Sequence, residues 1–231
     1  MKRIVIVVLL VALTMQVAAN DCLGFQVGDA QPTTCLNSAG NKDNLAATMY
    51  NGFKVGLVYD AMLIKGFGVS MGLNYTFGAN TTPWESVGKL PYPKTRSKSF
   101  YHQLEIPIDW QYKFEIAQNT WVILYTGPTL QCGLNFTQKN FKDNGKEITP
   151  TNENNVFSEN DMKDHALKRI NVTWGIGAGF QYERYFIRGG YDFGMINPYK
   201  AQKFDNVDIS TRGRFDQWQV KIGMYFWESK K

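Results

Sequence analysis

Phe67-Gly68-Val69-Ser70-Met71-Gly72-Leu73-Asn74-Tyr75-Thr76-Phe77 alternates, residue by residue, a large apolar side chain with glycine or a small polar one. Successive side chains of a β-strand point to opposite faces. In extended form this stretch therefore turns Phe67, Val69, Met71, Leu73, Tyr75 and Phe77 one way, and Gly68, Ser70, Gly72, Asn74 and Thr76 the other. A helix would scatter both sets around its axis, so period two predicts a strand with one wholly apolar face.

Working outward, the same alternation predicts eight strands. They run over about Leu23–Ala30, Gly52–Leu63, Phe67–Phe77, Tyr101–Phe114, Trp121 to about Phe136, Arg169–Tyr182, Tyr185–Ile196 and Phe215–Trp227. Many of these are close to the 9–11 residues with which a tilted strand crosses a bilayer. Short connections (64–66, 115–120 and 183–184) alternate with long polar ones (31–50, 78–100, 137–165 and 197–214). That rhythm is the pattern of an outer-membrane β-barrel, whose periplasmic turns are short and whose external loops are long. The expected fold is all-β: a transmembrane antiparallel up-and-down barrel of about eight strands with a polar, side-chain-filled interior.

The charged residues within strands decide which face meets lipid. Lys54, Asp60, Glu105, Asp109, Lys113, Arg188, Asp192 and Lys221 all fall on the face opposite the apolar stripe, four acids against four bases. Gly56, Gly72, Gly175, Gly177, Gly179, Gly190 and Gly223 share that face. A barrel of about eight strands is just wide enough for side chains to fill, and charges buried there must be paired. These eight residues are the expected interior charge network. A soluble lipocalin-like barrel would instead turn its apolar face inward around a ligand. Aromatic residues fall in two bands, Trp121, Tyr182, Tyr185 and Trp227 near the short turns, and Phe77, Phe100, Tyr101, Phe136 and Phe193 near the loops. Two interfacial girdles are expected from them.

Residues 1–19 carry Lys2-Arg3, an apolar run from Ile4 to Leu13 and the small residues Val17-Ala18-Ala19, the three parts of a cleavable secretory signal in order. Residues 20–231 are then a single barrel domain. Losing Lys2 and Arg3 takes the formal net charge from +5 to +3, without the clustered basic face that nucleic acid would want. The mean hydropathy of −0.31 is too polar for a helical membrane protein but suits a barrel with apolar residues at alternate positions. Ala19-Asn20-Asp21 ahead of Cys22 is no lipobox. Cys22, Cys35 and Cys132 allow at most one disulfide; a Cys22–Cys35 bridge is one option, opposed by any strand running between them.

With these strands placed, the chain resembles the Bacteroidetes-type outer-membrane β-barrel family often labelled PorT-like, over nearly the whole mature chain. The resemblance rests on Asn51-Gly52-Phe53-Lys54-Val55-Gly56-Leu57, Leu104-Glu105-Ile106-Pro107, Thr126-Gly127-Pro128, Gly175-Ile176-Gly177-Ala178-Gly179, and Tyr191 with Gly194-Met195-Ile196-Asn197. It implies a barrel in the bacterial outer membrane, with lipid and the barrel-assembly machinery as partners, and its namesake implies a link to protein secretion. Two details depart from a regular barrel strand. Pro107 lies in mid-strand, where a bulge beside Pro128 is expected, and Glu228-Ser229-Lys230-Lys231 follow the aromatic Tyr225-Phe226-Trp227.

Little in the chain points to chemistry. Gly175-x-Gly-x-Gly179 lacks the strand–turn–helix setting of a dinucleotide loop and reads as inward glycines. The four Asn-x-Thr matches read as chance in a bacterial protein. His102 and His165 are the only histidines, with no serine nucleophile at a recognisable spacing and no metal-ligand spacing. No catalytic residue, metal or cofactor is expected. The sequence favours a non-enzymatic structural, surface-binding or secretion-accessory barrel acting through external loops or periplasmic turns. A small porin with narrow conductance is the alternative, ahead of a lipocalin-like binder or an outer-membrane enzyme. Trp84 and Tyr92, in the second long loop, and the 137–165 loop are the expected contact surfaces for a protein partner.

Overall fold

The computed structural model describes residues 20–37, 45–64, 66–82, 95–142, 144–146, 168–198, 202–204, 207–209 and 212–230. The expected signal segment, Trp84, Tyr92 and His165 lie outside these residues. The strands are β1 (Asn20–Asn37), β2 (Leu45–Met49), β3 (Asn51–Ile64), β4 (Phe67–Thr81), β5 (Thr95–Ala117), β6 (Thr120–Lys142), β7 (Ile170–Tyr182), β8 (Tyr185–Gly194), β9 (Gln202–Phe204), β10 (Val207–Ile209) and β11 (Arg212–Lys230). Antiparallel pairing runs in the order β11-β8-β7-β6-β5-β4-β3-β1. β1 then pairs with β11 from Asn20↔Lys230 to Asn37↔Arg212, which closes the ring. Short β2 extends the wall beside the upper part of β1, and β9 pairs with β10 as a separate ribbon.

The strands outrun their sequence expectations at the loop end. β1 has 18 residues where about eight were expected, and β5 and β6 have 23 each. A bilayer needs only about 10, so the excess carries the ladders on as ribbons beyond the apolar belt, β5 with β6 and β1 with both β11 and β2. A ribbon wetted on both faces has no apolar alternation, so polar composition there does not mark where a strand ends. The turns at the other end are tight. Gly66 sits at φ 88°, and Asn119 and Glu183 also adopt positive φ, the backbone that two-residue hairpin connections require.

Outward-facing residues form a continuous apolar belt. Ile106, Ile108, Trp110 and Tyr112 of β5, Leu124 and Leu130 of β6, Ile176 and Phe180 of β7, and Val220 and Ile222 of β11 are all exposed. Between them the inward positions hold polar and charged side chains, most of them fully buried.

Three expectations are corrected here. Pro107 makes no bulge: the β4–β5 ladder skips Ile106 and Pro107 between Met71↔Ile108 and Asn74↔Glu105 with its register unchanged. Gly72 makes room for the proline, since a Cβ there would lie 3.0 Å from Pro107 Cγ. The bulge in this region sits higher, where His102 pairs with Asn135 but Gln103 with Gly133, leaving Leu134 as the extra residue. Such a shift moves every later side chain to the other face. It turns Phe136 inward, and Tyr101 also faces in, so neither belongs to the outer girdle. Both are buried with Tyr50 and Phe215 in an aromatic cluster across the loop end of the lumen, with ring centroids 5.5–6.5 Å apart. The Cys22–Cys35 option also fails. Both residues lie on β1 13 residues apart, about 43 Å at strand rise, and Cys22 and Cys132 are free thiols.

The belt has a direct consequence. Ile176 lies at the middle of β7 and Ile170 at its loop end, so Ile176→Arg should cost about 2–4 kcal/mol of folding free energy in vesicles and Ile170→Arg about 0–1. Urea titrations of the two variants refolded into phospholipid vesicles would measure this; equal costs would mean that β7 does not cross the bilayer.

Candidate functional site

The inward faces build a layered interior. Nearest the short turns, Asp60 of β3 is the hub. Its carboxylate accepts hydrogen bonds from Ser70 Oγ of β4 at 2.6 Å, Lys113 Nζ of β5 at 2.8 Å and Arg188 Nη2 of β8 at 2.6 Å, and a short one from the Tyr225 hydroxyl of β11. Arg188 donates in addition to Ser70 Oγ at 2.9 Å and to Tyr225 Oη at 2.8 Å. Lys113 also donates to Gln181 Oε1 of β7 at 3.0 Å. Five strands on opposite sides of the ring thus meet through one carboxylate, and Lys113 ties in a sixth, β7. Asp60 is 0% and Arg188 2% exposed, so this bridge lies out of bulk water.

One level up, Lys54 of β3 donates to Glu105 Oε2 of β5 at 2.5 Å and to Gln219 Oε1 of β11 at 2.8 Å. Gln219 Nε2 passes the bridge on to Asp192 of β8, at 3.0 and 2.9 Å to its two oxygens. Thr76 and Gln103 donate to the other oxygen of Glu105 at 2.8 and 2.7 Å. This second bridge spans five strands. Above it lies the cluster of Tyr50, Tyr101, Phe136 and Phe215.

The structure therefore buries all eight of the sequence-predicted interior charges and divides most of them between two networks. Asp60, Lys113 and Arg188 form the lower one; Lys54, Glu105 and Asp192 belong to the upper. Asp109 and Lys221 stand within electrostatic reach of one another without a hydrogen bond or ion pair joining them to another described residue. Arg188 pairs with Asp60, whereas Asp192 is held by a glutamine.

The neutral polar side chains of the interior were not singled out from the sequence. Gln26, Gln103, Gln111, Gln131, Gln181, Gln217 and Gln219 are all buried inside. Parity alone would have placed them, because each falls on the face opposite the apolar stripe. Tyr225 is inward by the same parity as Gln219, Lys221 and Gly223, and the β1–β11 bulge just beyond it leaves Phe226 unpaired and turns Trp227 out. The glycines of the interior face also find a purpose. A Cβ on Gly177 would meet the Tyr125 ring at 2.2 Å, and one on Gly223 would meet Phe186 at 2.2 Å, so inward rings lie over bare backbone on neighbouring strands.

Two features lie outside the networks. A cavity of about 860 Å³ opens at the short-turn end, with Cys22, Lys113, Gln181 and Tyr225 among its walls. On the outer surface the Tyr75 hydroxyl makes a short hydrogen bond to His102 Nδ1, beside Phe77. Among the described residues no group of three or more His, Cys, Asp and Glu side chains is placed to hold a metal ion.

Removing one partner of a buried ion pair leaves the other charge uncompensated, at a cost of about 3–5 kcal/mol. Arg188→Met leaves Asp60 with Lys113 still beside it and should lower the stability of the refolded barrel by up to about 3–5 kcal/mol, and Lys221→Met by clearly less, since Lys221 donates no hydrogen bond to another described residue. Urea midpoints in vesicles would compare them, and equal losses would show that the Asp60 hub carries no special weight.

Residues 22–199 match the family described as outer membrane protein beta-barrel domain. No curated protein matches the chain. Among solved structures, Ail, the attachment invasion locus protein of Yersinia pestis, in complex with the heparin analogue sucrose octasulfate, is 14% identical, with 90% of this chain and 99% of that one covered and a TM-score of 0.39. Neisserial surface protein A is 14% identical, with 87% and 97% covered and a TM-score of 0.36. The N-terminal β-barrel domain of Pseudomonas aeruginosa OprF is 12% identical, with 88% and 97% covered and a TM-score of 0.33. The family match spans most of the strands of the ring, and the chain belongs to the outer membrane protein beta-barrel domain family, a β-barrel of the bacterial outer membrane.

Proposed function

We propose that this chain is a non-enzymatic outer-membrane barrel with a sealed lumen, acting through its external ribbons and loops or its periplasmic turns as a structural, surface-binding or secretion-accessory protein. The observation that carries this reading is the filling of the interior. Two hydrogen-bonded bridges and an aromatic layer cross the lumen, joining strands on opposite sides of the ring. Side chains held across the bore in successive layers support a lumen closed to hydrated solutes. β5 and β6 meanwhile extend well past the belt, which offers a partner surface outside the membrane.

On this reading residues 1–19 direct export and are removed, and the barrel-assembly machinery inserts the chain. The motif run from Asn51-Gly52-Phe53 to Gly194-Met195-Ile196-Asn197 supports a place among the PorT-like barrels of Bacteroidetes, and through them a secretion-accessory role. Trp84, Tyr92 and the 137–165 loop remain the proposed contacts for a protein partner.

Single-channel recording tests the sealed lumen. The signal-less chain refolded into a planar bilayer should be electrically silent while heat-modifiable gel migration reports a folded barrel. Steady, uniform conductance steps would overturn the reading in favour of a small porin.

A further inference from the structure

The cavity at the short-turn end is a vestibule of about 860 Å³, a size at which ligand sites of about 300–1,000 Å³ are built. Its floor is the Asp60 hub, met through Lys113 and Tyr225. Trp121 stands in its wall, and register decides which way the ring turns. Trp121 pairs with Glu115 of β5 on one side and with Gln181 of β7 on the other, and residues directly opposite share a face. Gln181 is buried in the lumen, as is Lys113, two positions before Glu115, so Glu115, Trp121 and Gln181 all point inward. Trp121 therefore leaves the outer girdle expected of it and turns to the vestibule, although the membrane interface is where an indole is favoured. The charges around it are one-sided. Glu115, Glu183 and Glu228 line the cavity against a single guanidinium, Arg184, and none of the three carboxylates is ion-paired with another described residue. Lys113, deeper in, is already held by Asp60 at 2.8 Å.

We propose that this vestibule receives a basic side chain, lysine or arginine, carried on an apolar segment of a periplasmic protein partner. Three features fit that occupant. The indole of Trp121 offers the face over which a cation is attracted. Glu115 beside it, with Glu183 and Glu228 around the brim, supplies the opposite charge and charge-assisted hydrogen bonds. Met62, in the same wall, gives apolar surface to the aliphatic stem that carries the cation. An acidic segment would meet three carboxylates at the entrance instead. The inference rests on the short turns being periplasmic, as in the function proposed above, and it names the partner chemistry for that end of the barrel.

The test uses the mature chain refolded into micelles of an uncharged detergent, where both ends of the barrel meet water. The probes are two blocked, fluorescently labelled peptides, Leu-Lys-Phe-Arg-Leu and its acidic counterpart Leu-Glu-Phe-Asp-Leu, followed by fluorescence anisotropy. The wild type should bind the basic peptide, less tightly as salt is raised, and leave the acidic one free. Trp121→Leu should weaken binding about two- to fivefold, the worth of a cation over an exposed ring. Glu115→Gln and Glu183→Gln should each weaken it by up to about fivefold. These side chains lie outside the two networks, and heat-modifiable migration checks that each variant still folds. Glu153→Gln, in the long 137–165 loop, should bind as the wild type does. Equal binding of the two peptides would overturn the vestibule. So would binding undiminished when Trp121→Leu, Glu115→Gln and Glu183→Gln are combined, or a loss as large with Glu153→Gln. Conductance steps in the planar bilayer would count against the sealed lumen and not against the vestibule, so the two readings fail separately.

Discussion

Closure of β1 on β11 is the constraint from which the rest follows. Lipid offers no partner to a backbone N–H or C=O, so a sheet can cross it only as a ring without an edge. Here the last ladder runs the whole length of both strands. Closing so few strands leaves a bore only as wide as the side chains that project into it. Outward positions must then be apolar, and inward ones must satisfy each other.

The interior solves the second requirement by crossing the bore rather than lining it. Asp60 receives groups from β4, β5, β8 and β11. Lys54 and Gln219 relay from Glu105 to Asp192. Each bridge ties the two sides of the ring, so the networks fix its cross-section as well as paying the desolvation of the charges. Glutamines do much of this work because one amide both donates and accepts. Gln219 uses both abilities at once, and it thereby holds a carboxylate that no base among the described residues touches directly.

The outside is divided just as sharply, by height. The belt, the aromatic rings of Phe77 and Phe100, and the basic step of Lys98 and Lys139 follow one another along the β4–β6 wall. An aqueous region begins where the apolar alternation stops, yet the hydrogen-bonded ladder continues beyond it for several residues. Side-chain contacts such as the hydrogen bond from Ser97 Oγ to Asn140 Oδ1 accompany the pairing there.

Much of this was legible in the sequence. Phe67–Phe77 announced a strand with one apolar face, and the parity of Lys54, Asp60, Glu105, Asp109, Lys113, Arg188, Asp192 and Lys221 placed those residues inside. Those properties are local, because a strand's side chains alternate whatever its neighbours do. Partner choice is not local. That Arg188 meets Asp60, 128 residues away in the chain, depends on register and on the curvature of the closed ring. The ends of the solvated ribbons escaped because alternation fades where both faces are wet. Phe136 escaped for a related reason: a single extra residue, Leu134, resets the face that it presents. The two faces of each strand are written in the order of its residues, since they need only the period of the backbone. Which groups meet across the lumen follows from the closed ring, since that needs every strand in register at once.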